Sequence, residues 1–293
     1  METVASCLRW AELTLADATP ELLESCKVDS QWLLAFVVGR NSAWLRAWPE
    51  HAVSDECWQQ YQELIARRAS GEPVAYLTGE QGFWCFDLNV TPDTLVPRPD
   101  TELLVEQALA LCGNDKLSAL DLGTGTGAIA LALAHERPAW SITATDVHSA
   151  TLAVARGNSQ RLTLPLRFVE SVWFDGLPDE RFHLIVSNPP YIEAEDTHLE
   201  GIGVRYEPIR ALVSGADGLD DIRCIVSGAP QHLYAGGWLL LEHGYNQGPA
   251  VRRLLAETGF VHGRQTYPAP TGHVNWGLSP PLLPDRACRW SCR

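Results

Sequence analysis

Positive charge is scarce in this chain. Across 293 residues, 22 Lys and Arg stand against 36 Asp and Glu, a formal net charge of −14. Proteins that grip nucleic acid directly present a basic face, because neutralising phosphate supplies much of the affinity. The one adjacent basic pair of note, Arg67-Arg68, falls on what reads as the solvent face of a helix, so nucleic acid is disfavoured as a direct ligand. Long apolar runs are missing too: nothing approaches the roughly 18 to 20 residues that cross a bilayer. The opening Met1-Glu2-Thr3-Val4 has no basic stretch followed by an apolar core, so no secretory leader and no membrane association are expected, and the expected compartment is the cytoplasm. The eight cysteines never form a CxxC. Most read as small buried hydrophobes in a reducing compartment. Cys288 and Cys292 are the only close pair, nothing beside them completes a metal site, and the histidines lack ligand spacing, so no metal is expected.

The composition is that of an ordinary folded protein, 46% hydrophobic and 20% charged, and the length favours two domains. Residues 1–75 read as a helical unit. Leu8, Ala11 and Leu15 keep helical spacing, and Thr19-Pro20 offers a cap and a first-turn proline. Asp29 or Ser30 is a candidate cap for a helix with Trp32, Leu33, Phe36 and Val37 on its apolar side. Asn41 or Ser42 opens a short helix, and Ser54 opens one whose Trp58, Tyr61, Leu64 and Ile65 form an inward stripe. Gly71-Glu72-Pro73 interrupts this pattern. From Tyr76 to Val90 the period shifts toward two, predicting a linking β-hairpin over 76–92.

The second domain is expected over 93–279. Val96-Pro97-Arg98-Pro99-Asp100-Thr101-Glu102 makes a rigid approach to a helix, with Asp100 or Thr101 as its cap. Strand and helix then alternate: a strand over 119–122, the turn Gly123-Thr124-Gly125-Thr126-Gly127, a helix from Ala128, and a second strand ending in Asp146. Glycines there let backbone approach a ligand that a side chain would obstruct. An acidic residue about 20 positions beyond them suits ribose hydroxyls. The spacing also fits a dinucleotide fingerprint. Two features favour S-adenosylmethionine instead: Asp121, placed for a ligand's ammonium group, and the residues after the fourth strand. Trp173 follows the third strand, where it can wall an adenine or simply pack in the core.

Those residues after the fourth strand are Asn188-Pro189-Pro190-Tyr191. Two prolines remove two N–H donors and stiffen the chain as it leaves the sheet. What is left is an edge of acceptors, the Asn188 side-chain oxygen and the Pro189 and Pro190 carbonyls, beside an aromatic ring. A planar NH2 group, with two donors, suits that edge; a plain Pro-rich turn capping a strand is the other reading. Residues 192–219 lack periodicity and read as a lid over the substrate. Short strands near Phe260 and Val274 are expected to close the domain, and the tail 280–293 is expected to be loosely ordered.

Together these stretches resemble the release factor glutamine methyltransferase (PrmC/HemK) family over roughly residues 20 to 278. Glu72 to Gly79, Val96 to Glu102, Asp121 to Ala134, Asn188 to Ile192, Glu207-Pro208, and Gly236-Gly237 through Glu242-His243-Gly244 carry the likeness. The resemblance implies an α/β fold, a Rossmann-like seven-stranded class I methyltransferase sheet with a small N-terminal helical domain for substrate recognition. It implies transfer of a methyl group from S-adenosylmethionine to the glutamine N5 of the Gly-Gly-Gln motif in peptide chain release factors. By position it assigns Gly123 to Gly127, Asp146, Trp173 and Asn188 to the cofactor and Asn188 to Tyr191 to the glutamine, with Asn188, Pro189 and Tyr191 catalytic. Val172 replaces a frequent acidic residue, and residues 270–276 lack the usual Asp and Arg. Two other functions fit parts of the pattern: an adenine N6-methyltransferase, and a non-catalytic partner-binding protein that keeps the cofactor fold.

Overall fold

The computed structural model describes residues 2–113, 115–266 and 287–291. By contacts the chain divides into two compact units, one running through Gly79 and taking back His198–Tyr206, the other holding the sheet.

The first unit is helical: α1 (Val4–Ala18), α2 (Cys26–Val38), α3 (Ser42–Ala47), α4 (Asp55–Ala69) and α5 (Val74–Thr78). A reciprocal capping box starts α1, with Ser6 N–H donating to Thr3 Oγ1 and Thr3 N–H to Ser6 Oγ. Val4, Cys7, Ala11 and Leu15 then share a buried face. Asn41 and Ser54 cap α3 and α4 through their side chains, as their position predicts. Other expectations shift. Thr19-Pro20 begins only a short 3-10 turn, Pro20–Leu22. Helix α2 starts before Asp29 and Ser30, which lie inside it and are buried. Its inward residues are Leu33 and Leu34, whereas Trp32, 61% exposed, and Phe36 face out. The reason is Asp29: the helix turns to bury that carboxylate against Arg68, which is 7% exposed and not on the solvent face. Arg67 does face out, paired with Glu72. The strand character expected from Tyr76 is likewise absent, because Pro73 and a left-handed Gly79 bracket the one-turn helix α5. Residues 198–206 complete this unit: Ile202 packs on its core, Gly203 N–H donates to the Gly71 carbonyl, and Tyr206 Oη to the Ser70 carbonyl.

The second unit opens with the hairpin β1 (Glu80–Phe83) and β2 (Phe86–Asn89). Its turn is pinned through Trp84, whose N–H donates to Glu102 and whose indole N–H donates to Glu136. There follow α6 (Glu102–Leu111), β3 (Ser118–Leu122), α7 (Ala128–Glu136), β4 (Ser141–Asp146), α8 (Ser149–Leu162), β5 (Arg167–Glu170), β6 (Phe182–Ser187), α9 (Asp220–Gly228), β7 (Leu233–Glu242), α10 (Gly248–Glu257), β8 (Val261–Thr266) and β9 (Ala287–Ser291). The sheet has seven strands in the order β5-β4-β3-β6-β7-β9-β8. The first five are mutually parallel, and β9 runs antiparallel to both neighbours. Near-continuous apolar strands follow from that burial on both faces. One layer packs α6 and α7 against one face, and α9 and α10 close the other. Part of the expected loose tail is therefore a strand, held by backbone pairing to β7. Val274 and residues 270–276 lie outside the described residues, as do the side chains of Cys288 and Cys292. No helix among the described residues is long and apolar enough to cross a membrane.

Candidate active site

Strands β3 to β7 end nearly level. Leu122 pairs across to Thr145 and Ser187, Thr145 to Val169, and Ser187 to Leu241. The Ser187 hydroxyl donates to the Leu122 carbonyl at 2.7 Å and locks that alignment. Whatever follows each strand therefore emerges along one edge. The chain steps outward from β3 through β4 to β5 and then returns past β3 to β6. Such a reversal opens a crevice at the carboxyl ends, where ligands bind in sheets of this kind. A cavity of about 250 Å³ lies there. Its walls come from Ser171 to Trp173, Asp146 to His148, Gly123 to Thr126, Asn188 and Pro190, with Thr94, Leu95, Pro97, Arg98 and Thr101 arriving from the segment before α6.

The glycine turn is shaped by its bonds. Thr124 N–H donates to the Thr145 carbonyl and Gly127 N–H to the Thr124 carbonyl, both at 2.8 Å. Gly125 has φ +57° and open space where a Cβ would stand, so a side chain there would be both strained and in the way of a ligand. Gly127, at φ +86°, starts α7 and does not line the cavity. A Cβ there would press on Leu131 at 3.1 Å, so its role is helix packing. Asn158, fully buried, donates to the Thr126 and Asn89 carbonyls and accepts from Asn89 N–H, tying the hairpin to the turn.

Two carboxylates flank the turn. Asp146 accepts from Gly125 N–H at 3.2 Å and His148 N–H at 3.1 Å, one on each oxygen. Each oxygen can accept once more, and Asp146 lines the cavity. Burial raises its pKa above the ordinary carboxyl value, against those two N–H groups. Asp121 is 1% exposed and lies behind the turn, outside the cavity wall. Its Oδ2 accepts from Thr124 Oγ1 at 2.6 Å, while its Oδ1 is buried without a hydrogen-bond partner among the described residues. Burial pushes its pKa to about 7 from 3.8, more than the Thr124 hydroxyl and the Ala130 N–H pull it down. That Oδ1 is sealed off from the cavity, so Asp121 bears on a ligand through Thr124, which lines the wall, and through the negative charge it places behind the turn. The site fits S-adenosylmethionine on that ground, with Asp146 for hydroxyls and Val147, Val172 and Trp173 as apolar wall. Val172, where an acidic residue was the family expectation, makes that part of the wall apolar.

The Asn188-Pro189-Pro190-Tyr191 corner divides its residues. Asn188 and Pro190 line the cavity. Pro189 is buried and contributes no lining. Tyr191 was expected to stack on a substrate amide. It packs instead against the second core, its Oη donating to Glu242 at 3.3 Å and its carbonyl accepting from Gln247 at 2.9 Å. The bonds to two later elements turn the ring away from the crevice wall. Asn188 Nδ2 donates to Thr101 Oγ1 at 3.1 Å, and Thr101 Oγ1 donates to Glu242 Oε2 at 2.8 Å. Thr101 is thus no helix cap. Arg98 lines the cavity with its charge met by buried Glu207, which also accepts from Val96 N–H. Arg210 and Ala211, inside the aperiodic stretch, reach the cavity too. No local signal marks Arg210, and although Glu242 falls in a stretch that carries the family resemblance, its partner Thr101 lies too far away in sequence to reveal its role.

Known proteins are similar to this chain in sequence and in fold. The chain matches the PrmC N-terminal domain over residues 6–79 and the methyltransferase small domain over residues 99–203. It is 56% identical over 238 residues to the release factor glutamine methyltransferase of Pseudomonas aeruginosa, covering 81% of this chain and 86% of that one. Its identity to the enzyme of the same name from Escherichia coli is 47%, with the same coverage. A solved methyltransferase from Pyrococcus furiosus superimposes with a TM-score of 0.53 at 18% identity, over 78% of this chain and 98% of that one, a likeness of fold.

Proposed function

The chain belongs to the release factor glutamine methyltransferase family, and on that premise we propose how its residues transfer a methyl group to the side-chain nitrogen of a release-factor glutamine. The enzyme depends on S-adenosylmethionine, which when bound supplies an electrophilic methyl on a sulfonium. The turn Gly123–Thr126, with the charge of Asp121 behind it, would hold its charged amino acid end, Asp146 would accept from its hydroxyls, and Val147, Val172 and Trp173 would cover its base. The observation that supports this assignment best is the cavity at the strand ends, whose wall brings the bare turn, Asp146 and the apolar Val147, Val172 and Trp173 together.

An amide nitrogen is a weak nucleophile because its lone pair is shared with the carbonyl. Asn188 Oδ1, on the cavity wall, accepts one N–H of the glutamine, and the adjoining Pro189 carbonyl, reached only once substrate has entered the corner, accepts the other, holding the NH2 so that its lone pair faces the methyl. As the nitrogen becomes tetrahedral its hydrogens grow more positive, and these acceptors then bind more strongly than in the ground state. They are fixed before reaction by the two prolines and by Thr101, so no reorganisation is needed. Tyr191 supports the corner from behind. The proton leaves after transfer, to water.

The helical unit serves recognition of the release factor; exposed Trp32 and Phe36, one turn apart on α2, offer apolar contact. A net charge of −14 speaks against nucleic acid as the acceptor, and the free cysteines among the described residues accord with work in a reducing compartment such as the cytoplasm. Mass spectrometry of purified release factors after incubation with enzyme and methyl donor tests the reading. A single added methyl on the Gly-Gly-Gln glutamine is expected, with loss of about 3 kcal/mol of transition-state stabilisation in Asn188→Ala. Label transferred to DNA instead of protein, or full turnover in Asn188→Ala, overturns it.

A further inference from the structure

Behind Asn188 three elements that are distant in sequence meet through buried polar side chains. Glu242, at the end of β7, is 1% exposed, and Thr101, at the entry to α6, is 4% exposed. The Thr101 hydroxyl donates to Glu242 Oε2 at 2.8 Å, and Tyr191 Oη donates to Glu242 Oε1 at 3.3 Å. Asn188 Nδ2 in turn donates to Thr101 Oγ1 at 3.1 Å.

The direction of this chain follows from the number of protons. A carboxylate only accepts, and a hydroxyl carries one proton. Once that proton goes to Glu242, the Thr101 oxygen can meet Asn188 only as an acceptor. The NH2 end of the Asn188 amide must therefore face Thr101, and Oδ1 is left as the opposite end. Take the carboxylate away and the constraint vanishes. The hydroxyl can rotate and donate to Oδ1, and the amide can turn end for end within the same volume. The cavity would then be offered two donors where the glutamine amide also brings donors.

We infer that Glu242, acting through the Thr101 hydroxyl, sets which end of the Asn188 amide faces the cavity, making Thr101 and Glu242 positioning residues that select an NH2-bearing substrate over a carboxylate. The inference rests on the reading that Asn188 Oδ1 holds the acceptor amide. It extends the site from the strand-end corner to a polar relay linking β6, α6 and β7.

Thr101 permits a test in which packing and proton direction give opposite answers. Valine matches threonine in volume but lacks the hydroxyl; serine keeps the hydroxyl but leaves out a methyl. Methyl transfer to a release factor is measured for wild type, Thr101→Val, Thr101→Ser and Glu242→Gln. Thr101→Val is expected to lower kcat roughly 10- to 100-fold, the effect of an unpaired donor in a buried site, with KM for the methyl donor within about threefold. Thr101→Ser is expected to stay near wild type. In the ligand-free protein, the Asn188 side-chain NH2 resonances should shift in Thr101→Val and hold in Thr101→Ser. Glu242→Gln, with one acceptor where the carboxylate has two, should fall toward Thr101→Val and provides the reading if the valine variant folds poorly. Serine equal to or worse than valine in turnover, or unchanged Asn188 resonances in valine, overturns the inference. Failure of wild type to methylate a release factor would instead unseat the proposed function, while the NMR comparison still decides the amide's orientation.

Discussion

Two aspartates, one in each unit, are sealed from solvent and treated in opposite ways. Asp29 in the helical unit is fully buried, but Arg68 Nε lies 2.8 Å from its Oδ2 and Ser25 donates to the same oxygen. Arg68 spends its other donors on the Gly71 and Glu72 carbonyls. The Asp29 Oδ1 is as much without a hydrogen-bond partner as that of Asp121, but the charge is balanced where it lies. Asp121 in the sheet unit has only neutral donors, the Thr124 hydroxyl and the Ala130 N–H, and no cation among the described residues. The first arrangement holds α2 to α4; the second is unfinished without a ligand. Burial of a charge therefore says little by itself about purpose, and what decides is whether the fold supplies the counter-charge.

Substitutions can break this contrast in sequence of size. Asp29→Ala leaves Arg68 buried and unpaired, and should cost roughly 3 to 5 kcal/mol of stability in the helical unit. Denaturant unfolding checks it; a loss within error would mean that solvent reaches Arg68 and that the two aspartates are alike.

Asp121→Asn should do the reverse, stabilising the ligand-free protein while weakening cofactor binding. The sign follows from linkage. A carboxyl raised from 3.8 to about 7 contributes stability that is complete at low pH and lost as pH rises through about 7. The ligand-free wild type should thus lose stability across that window, on the order of a few kcal/mol at most, and Asp121→Asn should not. Cofactor affinity should rise over the same window in wild type and fall about 10- to 100-fold in Asp121→Asn, as expected for losing a charged hydrogen-bond partner. Calorimetry at two pH values, one on either side, is sufficient. A flat affinity would remove Asp121 from the cofactor site.

Asp146→Ala should weaken cofactor binding about tenfold and slow saturated turnover less; unchanged affinity would contradict its role with hydroxyls. Trp32→Ala, at an exposed position, should leave stability within about 0.5 kcal/mol and act only on release-factor binding. An equal loss of stability would show that the outward face of α2 is structural after all.

Local pattern made much of this readable from the sequence. The glycine turn, Asp146 and the Asn188 corner each sit at a strand end, and strand ends are marked by the switch from apolar to turn residues. Asn41 and Ser54 announced their helices because a cap acts on residues three positions away. What stayed hidden depends on partners remote in the chain. Nothing near Arg68 reveals Asp29, 39 residues earlier, and the pair overrode the apparent apolar side of α2. Glu242 lies 141 residues from Thr101, so Thr101 passed for a helix cap. Tyr191 shared a motif with Asn188, yet Glu242 and Gln247 fixed where its ring and carbonyl point. Strand β9 owes its place to backbone pairing with β7 and β8, which composition does not encode.

The return of His198–Tyr206 to the helical unit bears on how this protein is made. Synthesis runs from the N-terminus, so the helices leave the ribosome early, but the residues that cap Ser70 and Gly71 emerge only after β3 through β6 have been translated. Until then the Ser70 carbonyl lacks the Arg205 and Tyr206 donors, and the Gly71 carbonyl has Arg68 but not Gly203. The helical unit finishes folding late despite coming first, and an expression fragment cut at Gly79 would carry that unfinished end permanently.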